Sequence, residues 1–501
     1  MPYKNIVPQN PNIADLLAEI KTYYQQQDTD MVRLAYDFAE KAHRGQFRKS
    51  GEPYIIHPVA TAMILARMRI DPNIIVAALL HDVPEDTSVT LEEIEQNFGP
   101  DVTSMIRGIT KLGKLKYRGV ERYIENLRKM FVAMAEDIRV MIIKFADRVH
   151  NLSTLDALPP KKQERIALES LEIYAPIANR LGIGEFKSLL EDLSFPYIFP
   201  KEFERATKVR EAMLSEREVY LQNVMEIIRN ELSNAHINVV NIHGREKTLY
   251  SLFRKIMAKG GWDNASQVHD VVAVRIIVES VSDCYAALGI IHKLWRPLRG
   301  RIKDYISQPK PNGYKSLHTT VFCMDGRIVE FQIRDHSMHN EAEYGVAAHW
   351  HYDERGSRLP AKDIFWAKEL ANIQKNILEK LADIDELKVD FFKNRIFVFT
   401  PKGDVFDLPE DATPIDFAYT VHTDIGNQCN GAKVNDQLVS LNTPLKSGDV
   451  VEIFTDKNRK GPSQDWLKYV KTHQAKTKIK EKLKTEKVSW LKSILPKKKV
   501  N

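Results

Sequence analysis

Only three cysteines occur in 501 residues, Cys284, Cys323 and Cys429, and no two are close enough to make a C-x-x-C pair. That spacing offers neither a zinc ribbon nor a disulfide framework, so free thiols in a reducing cytoplasm are expected. The opening residues, Met1-Pro2-Tyr3-Lys4-Asn5, lack the apolar core of a secretion signal. No apolar run approaches membrane-spanning length, so no membrane partner is expected. Internal repeats are also missing.

What is present is length for about three domains, with the 43% hydrophobic and 28% charged content of an ordinary globular protein. The net charge of +6 is unevenly placed: residues 457–501 hold 15 Lys/Arg against 3 Asp/Glu, leaving a mildly acidic body. A basic tail suggests an acidic partner such as RNA, and a solvated helix face explains it equally well.

The first 200 residues show apolar spacing of three and four almost throughout, as helices do: 29–42, 58–69, 72–80, 91–98, 122–135, 138–151 and 161–180. The pattern pauses at 195–200, and one long helix is expected over 201–232. Beyond it, β-branched alternating runs at 237–242, 270–279, 315–324 and 327–333 predict strands interleaved with helices. A compact strand-rich module comes next over 390–454, with Gly403, Gly426, Gly431 and Gly448 at its turns.

The chain is organised around His81-Asp82-Val83-Pro84-Glu85-Asp86, which ends the apolar run Ile74 to Leu80. Unpaired buried charge is strongly disfavoured, so a histidine and three carboxylates at the end of a buried helix require compensation. A divalent metal is the simplest source. His57, before a helix, and Asp147, in Ile142-Ile143-Lys144-Phe145-Ala146-Asp147-Arg148, complete a two-His, two-Asp set with open positions. That set suits Mn2+ or Fe2+ better than structural zinc. A hydrolytic metal there can activate water, with Glu85 and Asp86 one turn away to orient or deprotonate it. Arg44, Arg48, Lys49 and Ser50 on a Gly-containing turn, with Arg148 and Asn151, could hold phosphates. For His57 alone, a satisfied core histidine would be the better reading.

A second group lies in the middle third. Gly244-Arg245-Glu246-Lys247 reads as a Gly turn with cations before a helix bearing Ser251 and Lys255, a candidate phosphate cradle. Asp270 and Glu330 fall on separate strands and could share a Mg2+. Between them lie Lys303, then Lys310, Asn312, Tyr314 and His318, a cation-rich loop with a tyrosine able to stack on a base. Arg275 and Gln332 sit within the same strands. Singly, each of these signals is weak.

His57, His81-Asp82 and Asp147 resemble the HD-domain phosphohydrolase pattern. The strings Ala42-His43-Arg44-Gly45-Gln46-Phe47-Arg48-Lys49-Ser50-Gly51-Glu52-Pro53-Tyr54 and Asn312 to His318, with Ala342 to Trp350, narrow the likeness to the long RelA/SpoT homologues, which make and degrade (p)ppGpp. Pro84 departs mildly from the pattern, where an aliphatic residue is expected. The resemblance implies a multidomain fold. An all-α HD hydrolase domain occupies 1–197 and a mixed α/β, nucleotidyltransferase-like synthetase domain 198–385. A β-grasp TGS domain at 386–456 and a basic helical segment at 457–501 complete the chain.

The resemblance also implies removal of the 3′ pyrophosphate at an Mn2+ site, and pyrophosphate transfer from ATP to the 3′-OH of GDP or GTP at an Mg2+ site. Asp270 and Glu330 would handle Mg2+, with Glu330 the general base and Tyr314 stacking on guanine. Arg245, Lys247, Lys303 and His318 would hold phosphates, and Arg245 or Arg275 would pack on adenine. Arg301-Ile302-Lys303-Asp304 resembles the version found in bifunctional members. His422 matches the TGS position that meets deacylated tRNA on the ribosome. Zinc-finger-like and ACT modules of full-length members are not among these residues.

Three readings are open: a bifunctional enzyme; a hydrolase with a regulatory, weakly active synthetase domain; and a ribosome- or tRNA-binding regulator with relic sites. The first is favoured by the full charged set at both sites, and it requires the helices of 161–232 to keep the two activities apart.

Overall fold

The computed structural model describes residues 6–8, 10–24, 29–113, 130, 133–134, 136–215, 218–268, 272–310, 312–350, 395–401, 405–446, 449–456, 459, 461–472 and 474–483. The chain divides into two units, Met1–Glu379 and Lys380–Asn501.

The first unit begins with packed helices. Pro72–Leu80 starts cleanly because Asp71 accepts a bond from Asn73 N–H and Pro72 occupies the first turn. Apart from Asn73 it is buried all round, between Asp30–Ala42, Ile56–Arg67 and Leu91–Gly113. Its end delivers His81 into the interior, fully buried. Arg139–Ser153 packs against Ile56–Arg67 and buries Asp147 among Ile143, Ala146 and Val149. Leu91–Gly113 runs past the expected end at 98, with a kink at Gly99, whose φ is +80°. Of the helix expected over 122–135, all but Met130, Ala133 and Met134 lies outside the described residues.

No break separates these helices from the mixed α/β region. Gly184–Ile198 and Pro200–Ser215 are parted only by Phe199, and the single long helix expected over 201–232 is two, Pro200–Ser215 and Glu218–Asn234. The Asp192 carboxylate accepts bonds from Leu249 N–H and Tyr250 N–H, both 2.9 Å, and so caps Leu249–Ala258 across the notional boundary. Gly345 approaches so closely that a Cβ there would meet the Leu181 carbonyl.

The middle sheet has the order β1-β2-β5-β4-β3: β1 Val239–Glu246, β2 Val272–Val278, β3 Lys303–Asp304, β4 Leu317–Phe322 and β5 Ile328–Asp335. Only the β2–β5 pair is parallel. One face is apolar: Val274, Ile276, Phe331, Ile333, Leu317 and Val321 pack with Cys284, Ala287 and Ile291 of Val281–Leu294. Strand alternation sends the intervening residues to the other face. The expected Gly244 turn is not a turn. Gly244 and Arg245 lie inside β1, paired with Val274 and Ala273, because the ladder to β2 continues through Glu246.

The second unit holds the pair β6 Arg395–Phe399 and β7 Val405–Pro409, and the sheet β10-β8-β9 of Val451–Thr455, Cys429–Val434 and Gln437–Val439. The helix Pro414–Val421 packs on β7, β8 and β10. Trp466, Val470, Ala475 and Ile479 from the basic segment pack with Ile415, Ala418, Tyr419 and Cys429. The fully buried Asp416 carboxylate accepts bonds from Thr413, Lys471 and Thr472, which staples that segment to the helix start.

Candidate functional sites

Three helix segments meet at the first site. Among the described residues, His57, His81 and Asp147 form a buried group whose ligand atoms all lie within 4.8 Å of one another. Asp82 stands beside them, with Oδ1 3.2 Å from His81 Nε2 and Oδ2 3.4 Å from His57 Nε2. His57 Nε2 is 3.2 Å from Asp147 Oδ1. His81 Nδ1 donates to the Ala78 carbonyl at 2.7 Å, which leaves its Nε2 as a lone pair. That Nε2 is buried with no hydrogen-bond donor. A lone pair turned toward two carboxylates is repulsive unless a cation lies between them, so the donor set fits a divalent ion.

The group opens into a cavity of about 470 Å³. Arg48, Lys49, Ser50, Arg148 and Asn151 line it, with His57, Asp82 and Asp147. Gly45 and Gly51, at φ +82° and +90°, turn the segment that carries Arg48 to Ser50 over the opening. Arg44 does not line the cavity: it pairs with Glu40 on the surface. Glu85 and Asp86 stand on the adjoining turn, outside the lining. Asp86 is bonded by Tyr54 Oη at 2.6 Å, and that hydroxyl is also 3.0 Å from Asp82. Partial burial pushes the Glu85 carboxyl up, with Lys144 opposing.

Sequence reasoning misses three residues of this site: Tyr54, Lys144 and His150. Lys144 Nζ lies 2.7 Å from Asp147 Oδ2. Burial alone would raise the Asp147 carboxyl, but Lys144 and then His57 hold it well below the usual range. Asn151 Nδ2 donates to Asp147 at 2.6 Å. Arg148 is held over the Tyr174 ring, 4.2 Å from its centroid, and 3.4 Å from Glu169. The spacing of Lys144, Asp147, Arg148 and Asn151, which puts all four on one side of a helix, was the available signal.

The second site is the polar face of the middle sheet. Its register aligns Arg245, Ala273, Glu330 and Thr320 in one row, and His243, Arg275, Gln332, His318 and Lys303 in the next. Asp270 lies outside the described residues, so only Glu330 of the expected carboxylate pair is placed. Gln332 Nε2 donates to Glu330 at 2.9 Å, Arg245 Nη1 donates to Gln332 at 3.2 Å, and His318 Nδ1 is 3.4 Å from Glu330. Tyr314 Oη meets His318 Nε2 at 2.8 Å. Lys310 Nζ sits 4.7 and 4.8 Å from the Tyr305 and Tyr314 ring centroids. Burial, then Lys303 and Arg245, pull its ammonium down to about 8, so this cation cluster favours an added anion.

Lys247 precedes Leu249–Ala258, which carries Ser251 and Lys255, and Asn312 Nδ2 reaches the Asn179 carbonyl at 3.4 Å. Arg275 is buried and, with Arg334, lies 3.0 Å from Glu343 Oε1. No pattern in the sequence points to this pairing. In the second unit, His422 is 65% exposed and caps Thr423–Gln428.

Comparison with known proteins gives three family matches: an HD domain over residues 35–184, the region found in RelA / SpoT proteins over 244–357, and a TGS domain over 396–455. The GTP pyrophosphokinase of Myxococcus xanthus is 44% identical over 474 residues, 93% of this chain and 62% of that protein. The guanosine-3′,5′-bis(diphosphate) 3′-pyrophosphohydrolase of Aquifex aeolicus is 45% identical over 471 residues, 94% and 67% respectively. The bifunctional (p)ppGpp synthase/hydrolase RelA of Mycobacterium tuberculosis is 43% identical over 482 residues, 94% and 65%. The chain thus spans between 62% and 67% of the length of these relatives.

Proposed function

The chain belongs to the RelA/SpoT family, and from that premise we propose that it both degrades and makes (p)ppGpp, at two separate sites. The hydrolase site is the cavity bounded by His57, Asp82 and Asp147. The observation that carries this reading is the convergence of His57, His81 and Asp147 beside a cation-lined cavity.

His57, His81, Asp82 and Asp147 would hold Mn2+, which when bound supplies polarisation of a phosphoryl oxygen and activation of water. The protein's own groups do the rest. Lys49, Ser50 and Arg148 take the charge of the 3′ diphosphate, Lys144 and Asn151 fix the Asp147 carboxylate, and Glu85 or Asp86 takes the proton from the attacking water. The water oxygen bonds to the phosphorus as the bond between the 3′-oxygen and the pyrophosphoryl group breaks; pyrophosphate leaves, and the 3′-oxygen takes up the proton to give GDP or GTP.

On the sheet, Glu330 takes the proton of the 3′-OH of GDP or GTP as that oxygen bonds to the β-phosphorus of ATP, and the bond to the α-phosphate breaks to release AMP. Gln332 and His318 hold the carboxylate. Tyr314 stacks on guanine, and Lys303, Lys310, Arg245, Lys247, Ser251 and Lys255 receive the phosphates, with Mg2+ as counter-ion. The TGS domain and basic segment would meet deacylated tRNA on the ribosome, through His422 among others. A cytoplasmic setting accords with the substrates, and no described helix is long and apolar enough to cross a membrane.

A second reading, hydrolase with a weakly active synthetase domain, draws on one observation: Arg275 is buried and held by Glu343. Paired assays on the full chain separate the readings. Breakdown of ppGpp with Mn2+ and its formation from ATP and GDP with Mg2+ are both expected. Breakdown without formation favours the second reading, and absence of both overturns the proposal.

A further inference from the structure

We infer that His150 is a positioning residue that fixes the tautomer of His57, so that His57 presents an unprotonated Nε2 to a cation at the hydrolase site. The inference rests on the metal reading of that site. His57 Nδ1 and His150 Nδ1 stand 2.8 Å apart, a hydrogen bond in which one nitrogen carries the proton. Distance alone does not say which.

Arg48 decides it. Its Nη1 lies 3.3 Å from the same His150 nitrogen, and a guanidinium only donates. Were His150 Nδ1 protonated, two N–H groups would face each other. His150 Nδ1 therefore holds the lone pair and His57 Nδ1 holds the proton. A neutral imidazole has one ring proton, so His57 Nε2 is left bare, 3.2 Å from Asp147 Oδ1 and 3.4 Å from Asp82 Oδ2.

His81 reaches the same state through a backbone carbonyl. His57 begins the helix Ile56–Arg67, its ring has no such carbonyl bond, and it borrows a side chain 93 residues away. His150 is itself held rigidly: it is buried on Arg139–Ser153, and its carbonyl accepts from Ser153 Oγ at 2.7 Å. Arg48 also donates to Asn151 Oδ1 at 2.8 Å, and Asn151 donates to Asp147. One guanidinium thus steadies two of the ligand residues, each through an intermediary. Such supporting bonds set ligand orientation and basicity.

The test is Mn2+ affinity of the full chain, by calorimetry or electron paramagnetic resonance of free Mn2+, for the parent, His150→Phe and His150→Asn. Asparagine places Oδ1 where His150 has Nδ1 and can accept the same bond. Loss of the bond is expected to weaken Mn2+ binding about 10- to 100-fold in His150→Phe, with His150→Asn restoring it. Equal affinity of parent and His150→Phe would overturn the inference. The second measurement needs no variant at that position. Metal-free chain labelled with 15N-histidine, with His57 assigned through His57→Gln, should show the His57 proton on Nδ1. A His57 Nδ1 without a proton also overturns the inference. Failure of the parent to bind Mn2+, with the proton on Nδ1, overturns the metal reading and leaves the tautomer assignment standing.

Discussion

The two sites of the first unit solve the same electrostatic problem in opposite ways. At the helix ends, His57 and His81 turn nitrogen lone pairs toward the carboxylates of Asp82 and Asp147, an arrangement that something outside the chain must complete. On the sheet, part of the charge is matched from within, since Arg275 and Arg334 share Glu343 and Lys315 pairs with Glu341, while Lys303, Lys310 and Arg245 crowd together and favour an added anion. A cation can enter the first site where ring nitrogens already face carboxylate oxygens. At the second, an incoming nucleotide competes with pairs that exist without it. The lesson is that the same residue types make a site that awaits a cation on one scaffold and, on another, a partly paired one that still attracts an anion.

The comparison breaks most decisively through chemistry. Because the sites share no side chain, His81→Ala should abolish ppGpp breakdown, beyond the roughly 10- to 100-fold typical of losing a mere supporting residue, and leave synthesis intact. Glu330→Gln should cut synthesis by about 10²- to 10⁴-fold, the usual worth of a general base, and leave breakdown intact. Radiolabelled-nucleotide assays of both reactions on both variants read this out. Loss of both activities in either variant would merge the sites.

The next effect is on stability. If the sheet is completed from within, Glu343→Gln strands two buried guanidinium groups. Breaking a buried ion pair by removing one partner costs about 3–5 kcal/mol, so the urea midpoint of the first unit should fall markedly. An unchanged midpoint would show that Arg275 and Arg334 find other partners, and that the sheet awaits its ligand as the helix site does.

How much of this could be read in the sequence differs between the sites for a physical reason. His81-Asp82 announced itself because a charged pair at the end of an all-apolar helix has few innocent explanations. Asp147 showed as a charge within an apolar stretch, and Asn151 as a polar residue following it. His150 did not, since a histidine on a half-buried helix is ordinary until its partner, here His57, is known, and Lys144 was passed over although it shares the helical face of Asp147. The strands of the sheet showed in their alternation. The polar row did not, because register depends on which strands are neighbours. The Gly244 reading failed for that reason: local sequence suggested a turn, and the ladder to β2 overrode it. In the basic segment, charge drew notice while Trp466, Val470, Ala475 and Ile479 formed core.

The smallest effect tests the place where the two regions touch. Glu185 belongs to Gly184–Ile198, on the helical side, yet it faces the cations of the sheet. Burial, then the charge of Glu343, push its carboxyl up to about 7, against Arg245 and Arg275. In the unfolded chain it ionises near its ordinary value of about 4.3. Between those values the folded state holds a proton that the unfolded state has lost, so stability falls as pH rises through this window and the full penalty applies above about 7. Glu185→Gln removes the ionisable group. It should stabilise the fold at pH 8 by roughly 1–2 kcal/mol after allowance for partial solvent screening, read as a higher unfolding midpoint, with the gain shrinking toward pH 5. A gain that is the same at both pH values would mean that Glu185 stays ionised against Arg245 and Arg275, and that the helical region already supplies the sheet with the anion its lysines and arginines attract.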